Sequence, residues 1–149
     1  MVIGIFGESC TGKSTLARLL QTRLQARVYT GKDYLRFSKN ENIAKKLFRK
    51  ELEAAASGDH ILYVIAEPEH LGLLPEGALR VLVTADLEQI KSRFAQRMQG
   101  NLPAPVAAML ERKHGCFDGE AHHLHVVSGQ TDPEVVWEEI VRWEETHGQ

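Results

Sequence analysis

Cysteine and long apolar runs are scarce in this sequence. Its two cysteines, Cys10 and Cys116, lie far apart and match no metal-binding or redox spacing. No apolar run approaches the roughly 20 residues that a membrane-spanning helix needs. The first residues also lack the charged leader of a signal peptide. We therefore expect a cytoplasmic protein that has no disulfides and no membrane partner.

The sequence also lacks an excess of charge of one sign. It has 18 basic and 20 acidic residues, which gives a net charge of -2. Because a general nucleic-acid-binding surface normally shows a basic excess, we expect no nucleic-acid partner. There are no repeats and no long linkers, and 43% of the residues are hydrophobic. This composition predicts a single domain over residues 1–149.

Short apolar runs alternate with amphipathic segments along the whole chain. This alternation predicts an α/β fold in which helices cover both faces of a parallel sheet. In the helix over 40–56, we expect Ile43, Leu47 and Leu52 to face the core. Strands are predicted over 2–6, 27–30, 61–66, 79–84 and 124–128, and helices over 13–25, 40–56, 87–99, 103–114 and 133–147.

Residues 7–14 match the pattern G-x-x-x-x-G-K-[ST] in full, between a predicted strand and a predicted helix. Glycines let such a loop turn tightly around phosphate oxygens, and the helix that follows adds its positive dipole end. We expect Lys13 to reach the β- and γ-phosphates of Mg-ATP and Ser14 to place its hydroxyl on Mg²⁺. The predicted nucleotide-binding residues are Gly7, Glu8, Ser9, Cys10, Thr11, Gly12, Lys13, Ser14 and Thr15.

Two acidic residues follow predicted strands. Asp33 comes after the second strand, where a carboxylate can orient an acceptor or take its proton; the alternative is a helix cap. Glu67 ends the most apolar strand, an arrangement typical of a residue that holds Mg²⁺ directly or through water. The alternative for Glu67 is an ordinary charged residue at a strand exit. We predict that Ser14 and Glu67 are the metal-binding residues.

The second half of the chain contains arginines around a short break. Arg93 and Arg97 share one helix face, and Arg112 ends the next predicted helix. Between them, residues 98–105 contain Gly100, Asn101 and two prolines, which predicts a small lid. We expect Arg97 and Arg112 to close over the transferring phosphates. For Arg93, a solvated helix face is an equally good interpretation.

Four histidines lie late in the chain, and their spacing does not match that of a metal site. We expect them at the surface and on an edge strand. They are His114, His122, His123 and His125.

The order of these features resembles the nucleoside monophosphate kinases and shikimate kinases, a group of small P-loop kinases that includes adenylate and cytidylate kinases. The likeness covers nearly the whole chain, and the run 110–118 is especially similar. The resemblance implies a three-layer α/β/α fold with a five-stranded parallel sheet in the order 2-3-1-4-5. It also implies ATP as donor and Mg²⁺ as cofactor.

The sequence departs from this group directly after the third strand. Monophosphate kinases carry Asp-Gly-x-Pro-Arg there, and shikimate kinases carry a triple glycine. Here residues 67–70 read Glu-Pro-Glu-His. The basic residues after the second strand are an alternative acceptor site, or equally solvated helix charges. These residues are Arg36, Lys39, Lys45, Lys46 and Arg49.

Two functions follow from the sequence. The first is an ATP-dependent small-molecule kinase whose acceptor is a nucleoside monophosphate, with CMP or AMP favoured, or a small hydroxylated metabolite. Its catalytic residues are predicted to be Lys13, Asp33, Arg97 and Arg112. The second is a nucleotide-binding regulatory module, or a slow NTPase, without an acceptor. The pattern gives no indication of oligomeric state.

Overall fold

The computed structural model describes residues 1–55 and 59–147. A five-stranded, fully parallel sheet forms its centre, with the strand order β2-β3-β1-β4-β5. This order and the α/β class are those expected from the sequence. The strands are Val2–Phe6 (β1), Arg27–Thr30 (β2), Ile61–Ile65 (β3), Leu79–Thr84 (β4) and Leu124–Val127 (β5).

The described residues form five α-helices and two 3-10 helices, of which all but the last α-helix lie between strands. The 3-10 helices follow β2 and β3 directly, over Gly31–Phe37 and Pro68–Leu73, and the sequence pattern did not predict them. The α-helices are Lys13–Leu24 (α1), Glu41–Glu53 (α2), Leu87–Arg97 (α3), Ala104–Lys113 (α4) and Pro133–His147 (α5). In the described part of the chain, no helix combines the length and apolar character that crossing a membrane requires.

The two faces of the sheet are buried by different helices. On β1, Ile3 and Ile5 pack in one cluster with residues of α1 and α5. Val2 and Phe6, which point the other way, pack with α2 and both 3-10 helices. This alternation of side chains along a strand is what places helices on both sides of the sheet.

The structure differs from the predicted orientation of α2 and from some predicted bounds. Ile43 and Leu47 are exposed, at 49% and 41%, whereas Ala44 and Phe48 are buried. Helix α4 begins at Ala104, so the predicted lid over 98–105 shortens to residues 98–103. Helix α2 ends at Glu53, and the predicted end at residue 56 lies outside the described residues.

Candidate functional site

The loop of residues 7–12 joins β1 to α1 at the carboxyl edge of the sheet. The backbone N–H of Gly7 donates to the carbonyl of Ile65 in β3 (3.2 Å). A Cβ at Gly7 would lie 2.1 Å from the carbonyl oxygen of Val83 in β4, so only glycine fits between the two strands. Gly12 has a φ of 99°, a conformation that glycine adopts without strain. The sequence and the sheet together therefore fix the loop in the position that we expected.

Lys13 lies at the start of α1, and its side chain turns back across the loop. It is only 7% exposed, and its Nζ donates to the carbonyl of Glu8 (2.5 Å), which also accepts from the Thr11 hydroxyl (2.8 Å). Burial lowers the pKa of Lys13 to about 8. An anion bound in the loop would stabilise the charged amine and reverse this shift.

Ser14 and Thr15 occupy the first turn of α1, and both are exposed. Helix N-termini present free N–H groups and a positive dipole end, so this turn can bind phosphate. Oxygen ligands suit Mg²⁺, which usually needs only one or two protein groups beside phosphate oxygens and water. The Ser14 hydroxyl fits that chemistry.

A cavity of about 860 Å³ opens beside the loop. Its walls come from the loop, α1, α3 and the segment that follows β5. This volume is in the range of small-molecule sites. The lining includes Cys10, Thr11, Gly12, Thr15, Arg93, Gln96, Arg97, Ser128, Gly129, Thr131 and Glu134.

Arg93, which the sequence left undecided, contacts the loop directly. Its guanidinium donates to the carbonyl of Cys10 (2.9 Å) and to the Ser128 hydroxyl (2.9 Å). Cys10 has a φ of 64°, which is unusual for a residue other than glycine. Arg93 thus ties the most strained residue of the loop to the segment after β5. Arg97, one turn further along α3, lines the same cavity, and its role at the phosphates stays a prediction.

Sequence reasoning missed the segment of residues 128–131. Ser128 and Thr131 line the cavity together with Gly129. The available signal was their position, since polar residues directly after a strand of a parallel sheet lie at its ligand-binding edge.

Glu8 connects the loop to the end of α4, a contact that the sequence did not reveal. Its carboxylate accepts the backbone N–H of Gly115 (3.0 Å) and lies 3.0 Å from Nδ1 of His114. Two residues further, Phe117 is buried against Phe6, with ring centroids 5.6 Å apart. The segment after α4 is therefore fixed to both the loop and the core.

The two predicted acidic residues lie near the same sheet edge. Asp33 accepts the backbone N–H of Thr30 (2.8 Å) in a capping box at the start of the first 3-10 helix. This contact engages Oδ2 alone. Glu67 caps the second 3-10 helix, and Nζ of Lys113 lies 3.4 Å from its Oε1. Asp33 thus takes part in helix capping, but as the third residue of a helix that begins at Gly31 and not as the N-cap before Tyr34, and its role toward an acceptor stays a prediction.

Arg112 and the loop over 98–103, which we predicted to be a lid, lie at opposite ends of α4. Arg112 is exposed at the end of α4, and its guanidinium has no hydrogen-bond or ion-pair partner among residues 1–55 and 59–147. The loop over 98–103 contains two residues with positive φ, Gln99 (63°) and Gly100 (89°). An ion pair between Lys91 of α3 and Glu111 of α4 (2.6 Å) holds the two helices that flank it.

The late histidines do not gather around one point. His123 accepts the N–H of Arg80 (2.9 Å) and packs on Trp143. His125 contacts the hydroxyl of Thr84 (2.8 Å). Within the described residues, no three of the His, Cys, Asp and Glu side chains form a group able to hold a metal ion. Both cysteines are free thiols.

Solved structures with this arrangement are known. A gluconokinase from Sinorhizobium meliloti superposes with a TM-score of 0.61 at 16% identity, over 98% of this chain and 93% of its own. A shikimate kinase from Aquifex aeolicus does so with a TM-score of 0.55 at 18% identity, over 98% and 97% of the two chains. This chain has the fold of the small P-loop kinases.

A third P-loop neighbour is the YorR protein of Bacillus subtilis, solved in complex with phosphorylated GDP. It superposes with a TM-score of 0.63 at 21% identity, over 100% of this chain and 99% of its own. Neither a scan against protein-family models nor a search of curated proteins found a match. The P-loop kinase fold is thus established by structure, whereas the activity has to be argued from the site.

Proposed function

We propose that this protein is an ATP-dependent small-molecule kinase that transfers the γ-phosphoryl group of ATP to a small acceptor. The observation that carries this proposal is the buried amine of Lys13, which contacts the carbonyl of Glu8 in the loop of residues 7–12. The same loop lines the cavity of about 860 Å³. The gluconokinase and the shikimate kinase that share this fold support it at the level of the fold. We place the protein in the cytoplasm, without a nucleic-acid or membrane partner.

Each predicted residue has a task in the transfer. Lys13 and the loop N–H groups hold the β- and γ-phosphates, and Thr15 supports the α-phosphate. Arg97 and Arg112 stabilise negative charge on the transferring group from the lid side. Asp33, whose Oδ1 is not used by the capping box, orients the acceptor and receives its proton.

Mg²⁺ accompanies ATP in this proposal. Ser14 and Glu67 would hold it, and bound Mg²⁺ would neutralise charge on the phosphates. The Glu67 carboxylate keeps one oxygen free of the Lys113 contact, which suits binding to the ion directly or through water. The acceptor is a nucleoside monophosphate, with CMP or AMP favoured, or a small hydroxylated metabolite.

ADP release from ATP, measured with and without a panel of acceptors, tests the proposal. We expect at least one acceptor to stimulate turnover in the wild type. Lys13→Ala should reduce this turnover by about 10²–10³-fold, because it removes a charged donor from the phosphate site. Lys50→Ala, which removes an exposed lysine of α2, serves as the matched control and should leave turnover unchanged.

A nucleotide-binding regulatory module, or a slow NTPase, is the second candidate. The run Glu67-Pro68-Glu69-His70 favours this candidate, because it contains no arginine. In the monophosphate kinases, an arginine at this place binds the acceptor phosphate. ATP binding that depends on Lys13, combined with no stimulation by any nucleotide or small alcohol, would establish this candidate instead of the kinase.

A further inference from the structure

The residues that follow β2 and β3 form one side of the candidate site, which we call the acceptor edge. Within it, the Tyr34 ring lies 5.9 Å from the His70 ring, so the two 3-10 helices contact each other here. Both side chains are buried, at 2% and 4% exposure. The acceptor edge comprises Asp33, Tyr34, Glu67, Glu69 and His70.

Both arginines between residues 31 and 55 are already engaged. Arg36 lies 3.4 Å from the Asp33 carboxylate. Arg49 lies 3.5 Å from Glu53 and donates to the carbonyl of Gly72 (3.2 Å). Recognition of a phosphate normally uses the free, fork-shaped face of an arginine. Neither arginine offers such a face without losing its present partner.

Two of the lysines near the acceptor edge are engaged as well. Nζ of Lys45 lies over the Tyr34 ring (5.7 Å) and 3.7 Å from Glu41. Lys113 lies 3.4 Å from Glu67. Lys32 and Lys39 are exposed and contact no acidic side chain in the described part of the chain. A lone exposed lysine is a mobile, strongly hydrated charge and gives weaker phosphate recognition than an arginine fork.

Unpaired Arg112 is next to Lys113, but the proposed function already assigns it to the transferring phosphoryl group. What the acceptor edge does contain is negative charge. Glu69 is exposed and pairs with no cation among the described residues. Burial, then Glu41, and finally the charge of Glu69 raise the pKa of Tyr34, so the Glu69 carboxylate lies near the phenol. A phosphate brought to this edge would face like charge.

His70 supplies an unused polar group at the same edge. Its Nδ1 is buried and has no hydrogen-bond partner in the described structure. A buried polar atom without a partner costs free energy, so a ligand hydroxyl that reached this nitrogen would gain affinity. The imidazole nitrogen can donate to or accept from a hydroxyl group, according to its tautomer.

From these contacts we propose that the acceptor is a neutral, hydroxyl-bearing compound without a phosphate group. This inference rests on the proposed kinase function and narrows it. In the transfer, an acceptor hydroxyl oxygen forms a bond to the γ-phosphorus of ATP. The bond from that phosphorus to the β,γ-bridging oxygen breaks, and ADP leaves with the electron pair. The hydroxyl proton passes to Asp33.

Matched pairs of acceptors test the proposal with the full-length protein. Cytidine is compared with CMP, adenosine with AMP, and ribose with ribose 5-phosphate, with ADP release as the readout. We expect kcat/KM to be at least about tenfold higher for a neutral member than for its phosphorylated partner. A preference for the phosphorylated members would overturn this inference and leave the kinase proposal intact. No stimulation by any member would overturn both.

A charge reversal at the acceptor edge locates the source of the preference. Glu69→Arg places an arginine beside Tyr34, and we expect it to shift the kcat/KM ratio about tenfold toward the phosphorylated members. Glu76→Arg makes the same change directly before β4, at the amino edge of the sheet, and should not shift the ratio. An unchanged ratio in Glu69→Arg would show that this edge does not set the preference. ATP binding by both variants with the wild-type affinity, and its loss when Lys13→Ala is added, verifies that they are folded.

Discussion

The buried position of Lys13 predicts how ATP affinity depends on pH. Burial lowers its pKa to about 8, and a triphosphate would bind the charged amine. As pH rises from 7 to 9, the charged fraction falls, and bound ATP must first restore the proton. We expect the Kd for ATP to increase about tenfold over this range. Isothermal titration calorimetry at several pH values measures it.

Lys13→Arg is the control for this titration, because a guanidinium stays charged throughout the range. Its affinity for ATP, even if weaker overall, should change much less between pH 7 and 9. Equal pH dependence in the two proteins would mean that Lys13 is not the titrating group.

The carboxylate of Asp33 has a structural role in the capping box and a proposed catalytic role. Asp33→Asn keeps an oxygen that accepts the N–H of Thr30, but it removes the base. We expect a loss of acceptor-stimulated turnover by about 10²-fold, with the Kd for ATP and the urea midpoint unchanged. A drop in the urea midpoint with full turnover would leave Asp33 with its capping role alone.

At the scale of elements, Phe117 anchors the segment that links α4 to β5. It is 1% exposed and packs on Phe6 at the end of β1. Phe117→Ala should lower the free energy of unfolding by about 3–5 kcal/mol, because it leaves a cavity in the core. Leu35→Ala, at a side chain that is 46% exposed, should change it by less than about 0.5 kcal/mol. Urea unfolding followed by circular dichroism compares the two; similar losses would contradict the anchoring role.

Elements differ in how far the sequence predicts them. The apolar runs of β1, β3 and β4 are unmistakable because such strands are buried on both faces. The predicted orientation of α2 was wrong. Phe48, and not Leu47, fills the space beside Tyr63, and their ring centroids lie 4.9 Å apart. The 3-10 helices lack the helical periodicity that sequence patterns report.

The same distinction holds for the site. The phosphate loop can be predicted because its glycines and its lysine lie within one short run, residues 7–14. The contact of Glu8 with Gly115 joins residues 107 positions apart and depends on where α4 ends. Long-range contacts of this kind leave no local pattern, which is also why the task of Arg93 was left undecided.

At the scale of the whole molecule, ligand binding should stabilise the fold by mass action. With Mg-ATP at 100 times its Kd, the free energy of unfolding should increase by about 2.7 kcal/mol. Thermal unfolding with and without nucleotide measures this increase. Lys13→Ala should show little of it, while Lys50→Ala should show it in full. An equal shift in Lys13→Ala would place the nucleotide elsewhere than the loop.

The position of Gly7 between β3 and β4 also bears on how such proteins diverge. The Gly7 end of the donor loop is fixed by main-chain atoms of two central strands, so this part of the loop depends little on the side chains around it. The acceptor edge, by contrast, is made of side chains on two short turns. Mutations there can accumulate without disturbing the donor loop. Lineages that share this donor loop are therefore free to specialise in different acceptors.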